Sequence, residues 1–191
     1  MTFILIFISA IFVNNIVLSQ FLGVCPFLGA SNKVGNVLGM TGAIAFVMTI
    51  STIATYIIQK TLLEPFNLQF LQTITFILII TFLIQITGMI LKKVSKPLYQ
   101  ILGVYLPMMT TNCVILGVAL LVVQKEYNLL ESVVFAISTA IGYGLVLILF
   151  AGIREQLNLV NLPKSMEGLP AALITAGILA MAFMGFVGIV R

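Results

Sequence analysis

The placement of the charged side chains constrains the fold of this chain more than any other feature. Of its 191 residues, nine are basic and five acidic, together 7%, whereas soluble proteins carry about 25% charged residues. These charges leave six uncharged stretches: residues 1–32, 34–59, 65–91, 97–124, 132–153 and 168–190. Each stretch is long enough for the ~20-residue helix that crosses a bilayer core. The chain is predicted to be an integral membrane protein, because so few polar groups cannot cover a soluble domain.

Six transmembrane helices are predicted, at roughly 3–24, 37–59, 70–91, 99–123, 132–153 and 169–190. The predicted fold class is all-α integral membrane, with a single membrane domain over residues 1–191. Six basic residues lie in the loops on one side of these helices and three on the other. Because basic loops favour the cytoplasm, both termini are predicted to lie outside. The net charge of +4 is interpreted as loop orientation and contact with membrane lipid, not as a nucleic-acid surface.

The residue types that are missing exclude several kinds of site. The chain has no histidine, tryptophan or aspartate, and its two cysteines are Cys25 and Cys113. A histidine-ligated haem, a histidine-containing zinc site and a Ser/His/Asp or Cys/His catalytic pair within this chain are therefore excluded. No catalytic residue is assigned, and the two cysteines are the candidate ligands.

The two cysteines lie in two copies of a short motif. Residues 21–29 read FLGVCPFLG and residues 110–117 read TTNCVILG, so both contain C-x-x-L-G at an offset of 88 residues. Each half of the chain contributes three predicted spans, and an odd number of spans inverts the second copy in the membrane. Residues 1–91 and 92–191 are therefore predicted to be two inverted-topology repeats.

This symmetry predicts that the first and fourth spans are broken. A two-fold axis in the membrane plane lets two equivalent sulfurs share a site only near the midplane. Along a straight helix, Cys25 would lie about 33 Å from the start of the first span, close to the far face. Because Gly23, Pro26 and Gly29 disfavour regular helix, a broken, re-entrant segment is predicted around residues 23–32.

Three uses of the cysteines compete. A buried free thiol packs as a small apolar side chain, and a disulfide is disfavoured beside a reducing cytoplasm. Metal ligation is favoured by the repeat, because symmetry-related thiolates form a natural pair of ligands. A [2Fe–2S] cluster usually takes four cysteines and this chain supplies two. A cluster would need a second polypeptide, either another copy of this chain or a related partner.

Small residues in the spans predict close helix contacts. Gly35 and Gly39 form a G-x-x-x-G, while Ala172, Ala176 and Ala180 lie on one face of the last helix. Such patterns mark either internal packing or a subunit interface.

Several stretches resemble the RnfA/NqrE family of membrane subunits, which belong to the Rnf ion-translocating electron-transport complex and to the sodium-pumping NADH:quinone reductase. The resemblance covers the whole chain, and Cys25 before Pro-Phe and Thr-Thr-Asn before Cys113 favour the Rnf branch. Gly88 stands where some relatives have an acidic residue, so no charged ion-binding group is assigned to the third span. The stretches are Asn14–Gly29, Leu106–Cys113, Leu116–Ala119, Ile153–Glu155, Ala172–Gly177 and Ala182–Gly185.

The resemblance implies a role in electron transfer. Cys25 and Cys113 would join two cysteines of an RnfE-like homologous subunit of opposite topology in binding a shared [2Fe–2S] cluster. The chain would relay electrons between cytoplasmic centres and an outer flavin, within a complex that also contains the Rnf proteins B, C, D and G. That complex transfers electrons between ferredoxin and NAD and couples this to sodium or proton translocation, in the cytoplasmic (inner) membrane of a bacterium or archaeon.

Polar residues near the predicted breaks could orient a cluster by hydrogen bonds or line an ion path: Asn14, Asn15, Gln20, Thr110, Thr111 and Asn112. Arg154 and Glu155 are interpreted as an interfacial anchor, and loop 154–168 as a docking surface for a peripheral subunit.

Two alternative functions remain, a secondary transporter with a substrate site at the midplane and an NqrE-like subunit. A purely structural scaffold is a third.

Overall fold

The computed structural model describes residues 6–13, 15–24, 34–63, 69–94, 112–159 and 168–187. Within these ranges the chain is helical and contains no β-strand. The α-helices are α1 (Ile16–Gln20), α2 (Val34–Ile58), α3 (Gln72–Val94), α4 (Cys113–Gln124), α5 (Leu129–Leu159) and α6 (Leu169–Val187). Shorter π-helical segments (Ser9–Val13 and Gln59–Leu63) and a 3-10 turn (Gln69–Leu71) accompany them. The predicted all-α fold class is confirmed.

Three helical segments are long and apolar enough to cross a membrane. They are Val37–Thr61, Gln72–Ile90 and Leu129–Leu157, with 25, 19 and 29 residues, and they match the predicted second, third and fifth spans. Two shorter apolar helices, Cys113–Gln124 and Pro170–Gly185, lie in the predicted fourth and sixth spans. The chain is a multi-pass membrane protein. The complete set of six spans and the inverted repeats stay predictions, because parts of both halves lie outside the described residues.

Helix α5 is longer than the predicted span 132–153. It begins three residues earlier and continues to Leu159, so Arg154 and Glu155 are helical. The prediction of a loop from residue 154 is therefore wrong for residues 154–159, and residues 160–167 lie outside the described residues. At the other end, the Glu131 carboxylate accepts a hydrogen bond from the Asn128 backbone N–H (3.1 Å). A carboxylate in the first turn stabilises a helix start, which explains why a charged residue extends this helix.

Non-helical backbone interrupts the first predicted span, while the re-entrant segment predicted around residues 23–32 lies outside the described residues from residue 25 onward. Asn15 has an extended backbone between the π-helical segment and the five-residue helix α1. After α1, Phe21 is left-handed (φ 54°) and Gly23 has φ +82°. In the fourth span Asn112 is extended and α4 begins only at Cys113. Both spans therefore contain non-helical backbone where the motif residues lie.

Helix α5 lies at the centre of the bundle. Its contact with α2 is the most extensive in the structure, and it contributes the fully buried side chains of Tyr143, Leu147 and Phe150. A second buried cluster joins α2, α3 and α4: Val47, Phe76, Ile80, Ile84, Ile115 and Ala119. Because lipid is as apolar as these side chains, helix association in a membrane depends on close packing, which both clusters provide.

The alanine stripe of α6 packs inside the protein. Ala172 and Ala180 are buried in the same hydrophobic cluster as Tyr143, Leu147 and Phe150 of α5, and Ala176 packs against this cluster. Gly39 differs, because a methyl group added there would contact nothing within 4 Å. Of the two interpretations of the small residues, internal packing therefore holds for the alanines.

Gly144 sets the spacing between α5 and α2. A Cβ added to Gly144 would clash with Thr41 Cγ2, and Thr41 is held in place by a hydrogen bond from its hydroxyl to the Val37 carbonyl (2.8 Å). A small residue is needed where two helix backbones approach this closely.

We therefore expect Gly144→Ala to lower the stability of the protein by about 1–3 kcal/mol, the usual cost of overpacking a tight contact. Thermal unfolding in detergent measures the effect. Adding Thr41→Ser should restore most of the loss, because it removes the clashing methyl and keeps the hydroxyl. Gly177→Ala on α6, where added atoms meet open space, is the matched control and should change little. Equal losses in both single variants would contradict the packing explanation.

Candidate functional site

Cys113 is the first residue of α4, and its position follows from the residue before it. Asn112 has an extended backbone, and its Oδ1 accepts a hydrogen bond from the Val114 backbone N–H (3.1 Å). This is the bonding of an asparagine N-cap, which satisfies one of the free N–H groups at a helix start. The Cys113 side chain is half-buried and carries a free thiol. The thiol therefore lies where the partial positive charge of the helix dipole is greatest.

The first motif reaches this thiol through a backbone amide. The Gly23 N–H donates a hydrogen bond to Cys113 Sγ, with a nitrogen-to-sulfur distance of 2.9 Å, across 90 residues of sequence. Gly23 has φ +82°, which disfavours a side chain. A Cβ added there would clash with Val114 Cγ2 and lie 3.0 Å from Tyr143 Cε2. Only glycine allows the backbone to approach the thiol this closely.

The turn that leads to Gly23 is held by contacts of its own. The Leu22 backbone N–H donates to the Ile16 carbonyl (3.2 Å), which closes α1. The Leu22 side chain lies over Gly117 of α4, where an added Cβ would be 2.6 Å from Leu22 Cδ1. The break in the first span is therefore packed directly on the first turns of α4.

Asn15 ties the start of α1 to the central helix. Its Nδ2 donates to the carbonyls of Ile11 (3.1 Å) and Gly142 (3.0 Å), and its Oδ1 accepts from the Val17 N–H (3.2 Å). A Cβ added to Gly142 would lie 3.2 Å from Asn15 Nδ2, a tight contact that glycine avoids. The side chain is buried and both of its polar atoms have partners. Asn15 satisfies backbone groups that the break in the helix leaves free.

Asn112 differs from Asn15 in its hydrogen bonding. Its side chain is only 4% exposed, its Oδ1 caps α4, and its Nδ2 is buried without a hydrogen-bond partner within the described part of the chain. The carboxamide lies beside Gly23, where an added Cβ would be 3.7 Å from Asn112 Oδ1. A buried N–H group without an acceptor costs about 1–3 kcal/mol, and such groups in native proteins often mark a functional site.

The groups at Cys113 Sγ could support a sulfur that is bound to a metal. The Gly23 N–H donates a hydrogen bond to the sulfur, and the N-terminus of α4 places a partial positive charge near it. No group of three or more histidine, cysteine, aspartate or glutamate side chains that could bind a metal occurs among the described ranges. A metal centre at Cys113 therefore needs ligands from outside those ranges or from another chain.

The structure brings some of the predicted site residues together and separates others. Cys113 and Asn112 meet the break in the first span, and Asn15 lies at the start of that break. Gln20, the last residue of α1, is exposed. Cys25, Asn14, Thr110 and Thr111 lie outside the described residues.

Sequence reasoning did not assign Gly142, Tyr143 and Gly144, which we call the Gly142–Gly144 segment of α5. Gly142 contacts Asn15, Tyr143 packs beside Gly23, and Gly144 contacts α2. The sequence signal that could have identified this segment is a tyrosine flanked by two glycines, which favour close helix packing. In the structure this tyrosine is buried (1% exposed).

Comparisons with known proteins agree over nearly the full length. A family model described as "Rnf-Nqr subunit, membrane protein" matches residues 3–190. The chain is 55% identical over 188 residues to the A subunit of the Na(+)-translocating ferredoxin:NAD(+) oxidoreductase complex of Acetobacterium woodii, covering 98% of each protein. It is 52% identical to the A subunit of the ion-translocating oxidoreductase complex of Syntrophotalea carbinolica, over 97% of this chain and 96% of that protein. The chain therefore belongs to the Rnf-Nqr family of membrane subunits.

Proposed function

We propose that this chain is an electron-carrying membrane subunit of an ion-translocating ferredoxin:NAD oxidoreductase complex. Of the relatives named above, one is a subunit of a Na(+)-translocating ferredoxin:NAD(+) oxidoreductase complex and the other is a subunit of an ion-translocating oxidoreductase complex. In the proposal, Cys25 and Cys113 each supply one thiolate to a [2Fe–2S] cluster. An RnfE-like homologous subunit of opposite orientation supplies the other two thiolates, and further Rnf subunits complete the electron path.

The hydrogen bond from the Gly23 N–H to Cys113 Sγ is the observation that carries the proposal. Cys25 follows Gly23 by two residues, and two peptide units extend no more than about 7.6 Å between Cα atoms. This chain connectivity supports a shared region for the two cysteine motifs, which are 88 residues apart in sequence. A shared metal centre requires this proximity.

The residues at Cys113 fit a cluster of this kind. When bound, a [2Fe–2S] cluster supplies one-electron redox chemistry, and its potential depends on hydrogen bonds to its sulfurs and on solvent exposure. The Gly23 amide and the α4 N-terminus stabilise the negative charge of the ligand sulfur. The buried side chains of Val114 and Tyr143 surround Gly23 with apolar atoms, which lowers the local dielectric constant.

The described polar groups argue against an ion path at Asn15. Its Oδ1 and Nδ2 both form hydrogen bonds to backbone groups. Coordination of an ion by Asn15 would break these hydrogen bonds. Four buried hydroxyls of α2 and α5 are engaged in the same way, because each donates to the carbonyl four residues earlier: Thr52, Thr55, Ser138 and Thr139. The buried hydroxyl of Ser51 on α2 differs, because it has no hydrogen-bond partner within the described residues. We assign Asn15 to packing, and Asn112 to the cluster rather than to ion coordination.

The experiment that tests the proposal measures the cofactor in the intact complex. The complete complex is purified anaerobically, assayed for iron and acid-labile sulfide, and reduced with dithionite for EPR spectroscopy. A complex carrying Cys25→Ser and Cys113→Ser should lose two iron atoms, two sulfides and one [2Fe–2S] signal, because a serine hydroxyl is a much poorer ligand for iron than a thiolate.

Ala119→Ser is the matched control, since it adds a buried hydroxyl to α4 away from the thiol. This variant should keep the iron, the sulfide and the signal. Equal iron and sulfide contents in the double variant and the unmodified complex would reject the proposal, and retained ion transport in the double variant would then favour the transporter alternative.

A further inference from the structure

We infer that the Gly23 amide and the Asn112 carboxamide form a donor pair that raises the reduction potential of the cluster, with Asn112 acting as a positioning and tuning residue. The inference rests on the proposed function, because it concerns the cluster that Cys113 would bind. It goes further by assigning the control of the potential to this chain and to two particular groups.

The first donor is visible in the structure. The Gly23 N–H already donates to Cys113 Sγ at 2.9 Å. A [2Fe–2S] cluster held in part by Cys113 would take up one electron from an external reductant such as dithionite with no bond broken, and part of the added negative charge would fall on the ligand sulfurs. A hydrogen-bond donor is bound more strongly by the more negative sulfur. The Gly23 amide therefore stabilises the reduced state more than the oxidised state, which raises the potential.

The second donor is the unpartnered amide of Asn112. Its Nδ2 is buried and lacks an acceptor within the described ranges, in a side chain that is only 4% exposed. An amide in this position costs free energy unless an acceptor arrives with the ligand or the partner. The sulfurs of a cluster bound through the adjacent residue would supply acceptors of the right charge. The capping hydrogen bond uses only Oδ1. It does not account for the burial of Nδ2 without an acceptor.

A structural role and a tuning role can be separated at Asn112. Serine is as good an N-cap as asparagine, whereas alanine is not. Asn112→Ser therefore keeps the cap of α4 and removes the amide donor, and Asn112→Ala removes both. A purely structural Asn112 would show its effect only in the alanine variant.

The test is a mediated redox titration of the intact, anaerobically purified complex, following the [2Fe–2S] EPR signal. We expect both Asn112→Ser and Asn112→Ala to weaken one-electron reduction about tenfold, which lowers the midpoint potential by about 59 mV. Only Asn112→Ala should also lower the thermal stability. If the serine variant fails to assemble, Asn112→Thr, which also caps a helix, carries the same measurement.

Three results would overturn the inference: an unchanged potential in both variants, a higher potential, or a shift confined to Asn112→Ala. A [2Fe–2S] signal that is present with an unchanged potential refutes the tuning role and leaves the proposed function intact. Absence of the cluster from the unmodified complex refutes the proposed function itself. Ala119→Ser, on the same helix, should leave the potential unchanged and serves as the control.

Discussion

Replacing Cys113 by serine is expected to abolish electron transfer from reduced ferredoxin to NAD by the complete complex. Serine has nearly the same size and keeps the start of α4, but its hydroxyl is a much poorer ligand for iron than a thiolate. The loss should be complete rather than partial, because one missing ligand removes the only redox group that this chain contributes in the proposal. The rate of NAD reduction in membrane vesicles measures the effect, together with the ion uptake that accompanies it.

Two comparisons show whether this loss is specific. In the proposal this chain binds no NAD, so electron transfer from NADH to ferricyanide should be retained in the Cys113→Ser complex. Ala119→Ser, which introduces a hydroxyl one and a half turns further along α4, should leave both reactions unchanged. If Cys113→Ser supports ferredoxin-dependent NAD reduction at the normal rate, the thiol carries no electron and the proposed path is wrong.

Gly23→Ala is expected to have the second largest effect, because it combines backbone strain with a clash. The left-handed conformation costs a non-glycine residue about 1–2 kcal/mol, and insertion of a methyl group into a packed site costs about 1–3 kcal/mol. The backbone must move away from Val114, which lengthens the hydrogen bond to Cys113 Sγ. We expect a lower thermal stability of the complex and a lower cluster potential in the same variant.

Val114→Ala provides the matched comparison for Gly23→Ala. It removes the Cγ2 atom that an added Cβ would meet, so the double variant should be more stable than the sum of the two single losses predicts. The rescue should be incomplete, since the positive φ of residue 23 and the contact with Tyr143 remain. Strictly additive losses would show that the approach of Gly23 to α4 does not control the stability of this region.

The sequence points to candidate ligands but not to the groups around them. Cys113 is a candidate because the chain has two cysteines in matching motifs and no histidine. The glycines and proline around Cys25 predict a break at residues 23–32, most of which lies outside the described part of the chain. The non-helical backbone at Asn15 does not follow from the sequence, because an asparagine inside an apolar stretch can cap a helix, bind another helix or line a path. Only its hydrogen bonds to Ile11 and Gly142 distinguish these uses.

The two asparagines show most clearly what the sequence could not separate. Asn15 and Asn112 both precede a helix and both cap it through Oδ1. They were equivalent candidates in sequence. In the structure, Asn15 places its Nδ2 between two carbonyl groups, one of them 127 residues away, whereas Asn112 Nδ2 is buried with no hydrogen-bond partner in the described region. Their different roles arise from which distant segment packs against each side chain.

The sequence by itself determined that this chain is a helical membrane protein and that its candidate ligands are thiols. Those conclusions depend on which residue types are present and where charges interrupt apolar stretches, and both are local properties of the chain. The tertiary structure alone decided which groups face Cys113, because the Gly23 amide reaches it across 90 residues. Such a contact depends on how closely two backbones can approach. That distance is set by small residues such as Gly142 and Gly144 on the central helix, whose neighbours are fixed only when the helices pack.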